Sequence, residues 1–103
     1  MDAQFVKLLI EAKQSGEPAA LATITHTWGH SPREVGAKML VYRDGRIRGT
    51  IGGGCGEDEV RMKALEVMDS GVPLVHIVDL LDDPAQDDGA ICGGKMEIFI
   101  ERV

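Results

Sequence analysis

The dipeptide Asp44-Gly45 constrains this chain more than any other feature. It lies between two short runs, residues 37–43 and 46–51, and Asp-Gly in that setting is the strongest short-range signal for a two-residue β-hairpin turn. A hairpin makes its two strands antiparallel, so the chain direction on either side of residue 44 is fixed. Upstream, Phe5, Leu8, Leu9 and Ala12 follow the i, i+3, i+4, i+7 spacing of an amphipathic helix that ends near Gly16, and Pro18 bars its continuation. Residues 19–27 are rich in small and β-branched side chains and read as a strand. Residues 28–36 contain Gly29, Pro32 and Gly36 and read as a loop. Downstream, the glycine-rich stretch 52–56 leads into a second helical stripe of Val60, Ala64, Val67 and Met68, closed by Gly71 and Pro73. Leu74 to Leu80 is an apolar strand, and residues 81–94 form a long polar loop holding Asp82-Asp83-Pro84 and Asp87-Asp88-Gly89. The last strand alternates Met96, Ile98 and Ile100 with Glu97, Phe99 and Glu101. No internal repeat is present.

The resulting order, α-β-β-β-α-β-β, predicts a single small α/β domain of α+β character with a mixed sheet. The path from the third strand through the second helix to the fourth fits a right-handed crossover between parallel strands. If the first strand runs up, the loop 28–36 is at the top. The hairpin then sends the second strand down and the third up, which puts the stretch 52–56 at the top as well. The second helix descends and the fourth strand rises, so the loop 81–94 joins them. Three loops distant in sequence therefore converge at one sheet edge, and with them Cys55 and Cys92. Ligands of α/β sheets commonly sit at the carboxyl ends of strands.

Composition narrows the classes. A chain of 103 residues holds one hydrophobic core. Only 4% of residues are aromatic, so that core is built from Val, Ile, Leu, Met and Ala. A net charge of −6 argues against nucleic acid, whose phosphates need clustered Lys and Arg. No apolar run approaches the ~20 residues that span a bilayer, and Met1-Asp2-Ala3-Gln4-Phe5 lacks the basic and apolar regions of a signal peptide. These features predict a cytoplasmic protein without membrane contact, whose two cysteines are thiols rather than a structural disulfide.

The 13 glycines are many for this length, and they gather around the cysteines. Gly52-Gly53-Gly54-Cys55-Gly56 and Cys92-Gly93-Gly94 each hold one of the two. Glycine admits positive φ angles and close approach of a ligand to the backbone, and the first stretch opens a helix whose unpaired N–H groups attract anions. Glu57, Asp58 and Glu59 work against that role, since they complement the helix dipole and repel a phosphate. The plainer reading of this stretch alone is a tight turn with an acidic cap. Neither a P-loop ending nor Gly-x-Gly-x-x-Gly occurs, so a conventional nucleotide site, NAD included, is not indicated. A buried, inert thiol is the ordinary fate of a free cysteine. Paired in twin glycine settings at one edge, Cys55 and Cys92 read instead as exposed soft ligands or reactive thiols suited to soft metals and sulfur chemistry. Cys-x-x-Cys is absent, and His26, His30 and His76 share no ligand spacing, so a structural zinc site is not indicated. His76, between Val75 and Ile77, reads as a sheet residue. In the first loop Arg33 offers a bidentate fork for phosphate or carboxylate, or else is a solvated arginine beside Glu34. Lys38 adds a second positive charge toward the same cleft.

Three stretches together carry a resemblance. They are Gly29-His30-Ser31-Pro32-Arg33-Glu34-Val35-Gly36-Ala37-Lys38-Met39-Leu40-Val41, Gly49-Thr50-Ile51-Gly52-Gly53-Gly54-Cys55-Gly56-Glu57, and Cys92-Gly93-Gly94 before the last strand. In this order they resemble the N-terminal domain of the XdhC/CoxI family, accessory factors of xanthine dehydrogenase and carbon monoxide dehydrogenase. The resemblance covers nearly the whole chain. It implies a protein that binds molybdenum cofactor, protects it during sulfuration and delivers it to an apo-hydroxylase, without turning over the hydroxylase substrate itself. Many relatives continue into a Rossmann-type domain that has no counterpart among these residues, so residues 1–103 are expected to be the N-terminal domain alone, and nucleotide functions of the other domain are not carried over.

The expected carried ligand is thus molybdenum cofactor, a molybdopterin. Its expected contacts are Ser31, Arg33, Lys38, Gly52, Gly53, Gly54, Cys55, Glu57, Cys92, Gly93 and Gly94, with Cys55 as the key thiol and Cys55 and Cys92 as the candidate metal contacts. Expected partners are a molybdenum hydroxylase apoenzyme, a cysteine desulfurase, a separate Rossmann-domain chain and further copies of the chain itself, because exposed edge strands favour self-pairing. Two other readings stay open: a thiol-dependent enzyme that modifies a cofactor or nucleotide, and an interaction module that docks the hydroxylase through the acidic loop 82–88.

Overall fold

The computed structural model describes residues 2–30, 33–52, 56–79 and 94–103. Helix α1 (Ala3–Ser15) starts at Asp2, whose side chain accepts the Phe5 N–H, and stops at Gly16 in the left-handed conformation. Strands β1 (Ala19–Trp28), β2 (Lys38–Tyr42) and β3 (Ile47–Gly49) follow, then α2 (Glu57–Ser70), β4 (Leu74–Asp79) and β5 (Lys95–Arg102). The element order is the one the sequence predicts.

The five strands form one sheet in the order β3-β2-β1-β5-β4. Every neighbouring pair is antiparallel, which corrects the expected mixed sheet. The α2 crossover does join two strands of the same direction, but β3 and β4 lie at opposite edges of the sheet and never pair. The last strand takes the place between them: β5 inserts beside β1 and β4. Its inner residues Met96, Ile98 and Ile100 are fully buried, and a strand with so complete an apolar stripe loses most by standing at an edge.

The hairpin also differs in detail. Tyr42 N–H donates to the Arg46 carbonyl, and Gly45 N–H to the Tyr42 carbonyl, so the turn is a three-residue loop, Arg43 to Gly45. Gly45 alone takes a positive φ, 92°. Asp44 stays out of the left-handed region and uses its carboxylate instead, accepting the Arg46 N–H at 3.0 Å and Arg46 Nε at 2.7 Å. The Arg46 backbone N–H, followed by the Arg46 side chain, holds the Asp44 carboxyl below its ordinary range.

Helix α2 covers one face of the sheet with the predicted stripe Val60, Ala64, Val67 and Met68, all buried against Ala20, Ala22, Ile24, Met39, Val41, Ile98 and Ile100. Burying the valine, isoleucine and methionine side chains among these contributes roughly 1.5–3 kcal/mol each. Helix α1 covers part of the other face, packing Phe5, Leu8 and Leu9 over Ala19, Leu40 and Tyr42. Of the aromatics, Phe5 and Tyr42 belong to this second cluster, whereas the larger cluster under α2 contains none. Among the described residues no charged or polar side chain is buried, and no helix is long and apolar enough to cross a membrane.

Candidate functional site

The alternating strand directions bring the carboxyl ends of β1, β3 and β4 and the amino ends of β2 and β5 to one edge. Trp28 pairs with Lys95, and Lys95 with Asp79, so the stems of the loops 29–37 and 80–94 are neighbours. Gly94 fixes that junction. A Cβ there would lie 2.3 Å from both the Trp28 and the His30 carbonyl oxygens, closer than any side chain tolerates. Gly56, at φ 79°, closes the second stem: a Cβ would meet Val78 at 2.5 Å, which seats the start of α2 on the end of β4. Ile51, just before the glycine-rich stretch, is fully buried in the core. The expected convergence of three loops at one sheet edge is therefore what the fold delivers, through glycines at the points of closest approach.

Beside these stems lies a cleft of about 250 Å³ whose walls include Asp2, Phe5, Arg33, Lys38, Gly49 and Thr50. Gly49 lets it form. At φ 76°, a Cβ would sit 2.5 Å from the Lys38 carbonyl oxygen and 2.9 Å from the Phe5 ring, so only glycine lets helix α1 come this close to the hairpin. The two predicted cations, Arg33 and Lys38, are both in this cleft. Lys38 is half-buried, and its Nζ donates to Thr23 Oγ1 at 3.1 Å, which aims the ammonium without neutralising it. Asp2 is the carboxylate opposite, with one oxygen occupied by the Phe5 N–H at 2.8 Å. A region with two cations and one engaged carboxylate accommodates an anionic group such as a phosphate.

The acidic start of α2, read from the sequence as a cap that complements the helix dipole and repels a phosphate, is also held by side-chain partners. Each has its own partner. Glu57 Oε2 accepts the Thr50 hydroxyl at 2.5 Å, Asp58 Oδ1 pairs with Arg61 at 2.7 Å, and Glu59 Oε1 lies 2.6 Å from His76 Nε2. His76 is thus a sheet residue satisfied by the neighbouring helix. Thr50 is the residue that sequence reasoning missed. The signal for it is a threonine two residues before a glycine, an ST-turn pattern, which is realised here by the Gly52 N–H donating to Thr50 Oγ1 at 3.0 Å.

Of the predicted contacts, Arg33 and Lys38 share the cleft, Gly52 and Glu57 meet at Thr50, and Gly94 stands at the β1–β5 stem. Ser31, Gly53, Gly54, Cys55, Cys92 and Gly93, and with them the acidic loop 82–88, lie outside the described residues. Among the described residues no three His, Cys, Asp or Glu side chains are grouped to hold a metal ion, and both candidate metal contacts are cysteines beyond that set.

Known proteins resemble this chain in both sequence and fold. The profile described as "XdhC and CoxI family" matches residues 12–79. The molybdenum cofactor insertion chaperone PaoD of Escherichia coli is 41% identical over 66 residues, covering 64% of this chain and 21% of that protein. A probable xanthine dehydrogenase subunit of Bacillus subtilis is 33% identical over 101 residues, covering 96% of this chain and 31% of the relative. A crystal structure of a xanthine dehydrogenase from Bacillus halodurans superposes with a TM-score of 0.78 at 32% identity, over 95% of this chain and 30% of that one. The chain thus spans less than a third of the length of these relatives. Since the profile match takes in well over half of the sequence, from the end of α1 to the end of β4, the chain belongs to the XdhC and CoxI family.

Proposed function

We propose that this domain serves the maturation of a molybdenum hydroxylase of the xanthine dehydrogenase type, holding molybdenum cofactor at the loop edge while it is sulfurated and passed on. The observation that carries the proposal is the gathering of Arg33, Lys38 and the stems of both cysteine-bearing loops at one end of the sheet. The 41% identity to a cofactor insertion chaperone supports it. The cofactor presents a phosphate, a flat polar pterin and a dithiolene sulfur pair. In this reading the cleft cations hold the phosphate by charge-assisted hydrogen bonds, Ser31 and the glycine backbones of 52–54 and 93–94 follow the pterin closely, and Cys55 with Cys92 border the sulfur end. Glu57 supports this arrangement from the start of α2. The chain acts as a carrier rather than an enzyme, in the cytoplasm, where its thiols stay reduced.

The partners we propose are the apo-hydroxylase, a cysteine desulfurase as sulfur donor and the family's Rossmann-type domain. Val75 and Ile77, 59% and 44% exposed on the edge strand β4, support association with a further copy or partner along that edge.

The test is elemental and pterin analysis of the chain purified from cells that make the cofactor. Molybdenum and pterin in near one-to-one ratio with protein are expected, with loading reduced in Cys55→Ala. Absence of both contradicts the carrier role, and unchanged loading in Cys55→Ala contradicts the assignment of Cys55.

A further inference from the structure

We propose that Trp28 and His26 form a stacking platform for the flat pterin of the carried cofactor, an inference that rests on the carrier reading above. Their placement follows from a β-bulge. Along β1, Ala20, Ala22 and Ile24 face α2 and are fully buried, so strict alternation would send His26 and Trp28 to that same face. The register with β5 instead shifts here, since Ile24 pairs with Ile98 and His26 with Glu97. The extra residue, Thr25, leaves the α2 face to Thr27, opposite the buried Met96, and turns His26 and Trp28 to the other face. Thr25 Oγ1 donates to Glu97 Oε1 at 2.8 Å and so ties the bulge to β5. The face that His26 and Trp28 gain is the one that carries Thr23 and, bonded to it, Lys38 of the cleft.

The two rings lie together, with centroids 4.3 Å apart and planes inclined at 59°, yet Trp28 keeps 43% of its surface exposed. It is the only tryptophan of the chain, and it stands on the β1–β5 stem at the loop edge, paired with Lys95. Along β5, the partners of His26 and Trp28 lie two and four residues from Phe99, the partner of Thr23. That spacing sets the two rings about 7 Å and about 13 Å along the strands from the row of Lys38. A ligand that joins an anionic group to a flat heteroaromatic ring system spans such an interval, its phosphate at the cleft cations and its ring over the indole. Stacking suits the flat end, because a tryptophan face accepts a polar heterocycle without requiring a particular hydrogen-bond pattern.

The single indole makes the platform directly readable. Titrating the cofactor-free chain with molybdenum cofactor should quench most of the Trp28 emission, with a midpoint that matches the affinity from equilibrium dialysis of molybdenum. Trp28→Ala should weaken that affinity about tenfold, within the range that stacking on one ring contributes. Trp28→Phe keeps a ring and should stay within about threefold of the parental affinity. Both variants should keep the parental urea midpoint, because Trp28 stands outside both core clusters. Bound cofactor with Trp28 emission unchanged, or parental affinity in Trp28→Ala, overturns the platform and leaves the carrier reading in place. Loss of apo-hydroxylase binding by Trp28→Ala at parental cofactor affinity makes the two rings a protein contact and overturns the platform as well. A parental chain that binds no cofactor overturns both.

Discussion

At the end of the sheet that holds the Arg43–Gly45 loop, ion pairs tie the turn to the neighbouring elements. Arg43 pairs with Asp69 at 2.6 Å, and Arg46 bonds to Asp44 and Glu17 while its guanidinium lies 4.5 Å from the Tyr42 ring centroid. At the opposite end, Lys38 bonds a neutral hydroxyl and shares a cleft with Arg33. Glycines differ in the same way. A Cβ on Gly45 would meet nothing within 4 Å, whereas Gly49, Gly56 and Gly94 are pressed against backbone or core side chains. One end uses glycine to turn the chain and ion pairs to close itself. The other uses glycine to pack loop stems together, carries ion pairs of its own at Asp58–Arg61, Glu59–His76 and Lys95–Asp79, and adds a cleft walled in part by Arg33 and Lys38.

Glycine substitution should expose this contrast most strongly. Gly94→Ala forces a Cβ onto two carbonyl oxygens and should cost about 3 kcal/mol of stability. Loss of cofactor loading should follow, as the β1–β5 stem shifts. The charge contrast should appear next. Arg33→Ala and Lys38→Met should each lower cofactor affinity on the order of tenfold, the worth of a charge-assisted hydrogen bond. Arg43→Ala, at the far end, should leave affinity unchanged, and equal losses at both ends would remove the distinction between them. The smallest effect is expected for Gly45→Ala, which meets open space and is opposed only by its φ of 92°, at about 1 kcal/mol. Urea unfolding midpoints rank the two glycine variants; equal costs would mean that the loop stems are less tightly packed than their geometry indicates.

Much of this was legible in the residues. The Val60, Ala64, Val67, Met68 stripe, the turn at residues 44–45 and the meeting of three loops follow from local periodicity and from the direction of each strand, which is the same however the strands are ordered sideways. Lateral order was not legible, because hydrogen-bonding patterns along a strand do not name its neighbour. Only the comparison of β5, whose inner face is wholly buried, with β4, which leaves Val75 and Ile77 exposed, explains why β5 sits inside and β4 at the edge. At the site, Arg33 and Lys38 were legible as cations near a glycine-rich loop. Thr50 was not, since its role depends on a carboxylate seven residues away across a loop, a spacing no helix or strand period marks. The partners of Asp58 and Glu59 divide likewise: Arg61 is three residues away on the same helix, whereas His76 comes from β4.

The central claim is that both cysteine-bearing loops border one ligand site at this edge, and intramolecular cross-linking tests it most directly. A short bifunctional maleimide added to the dilute, cofactor-free chain should join Cys55 to Cys92 within one molecule, and bound cofactor should block the reaction. Single modification of each cysteine with no internal link, or a link formed equally well with cofactor present, would contradict it.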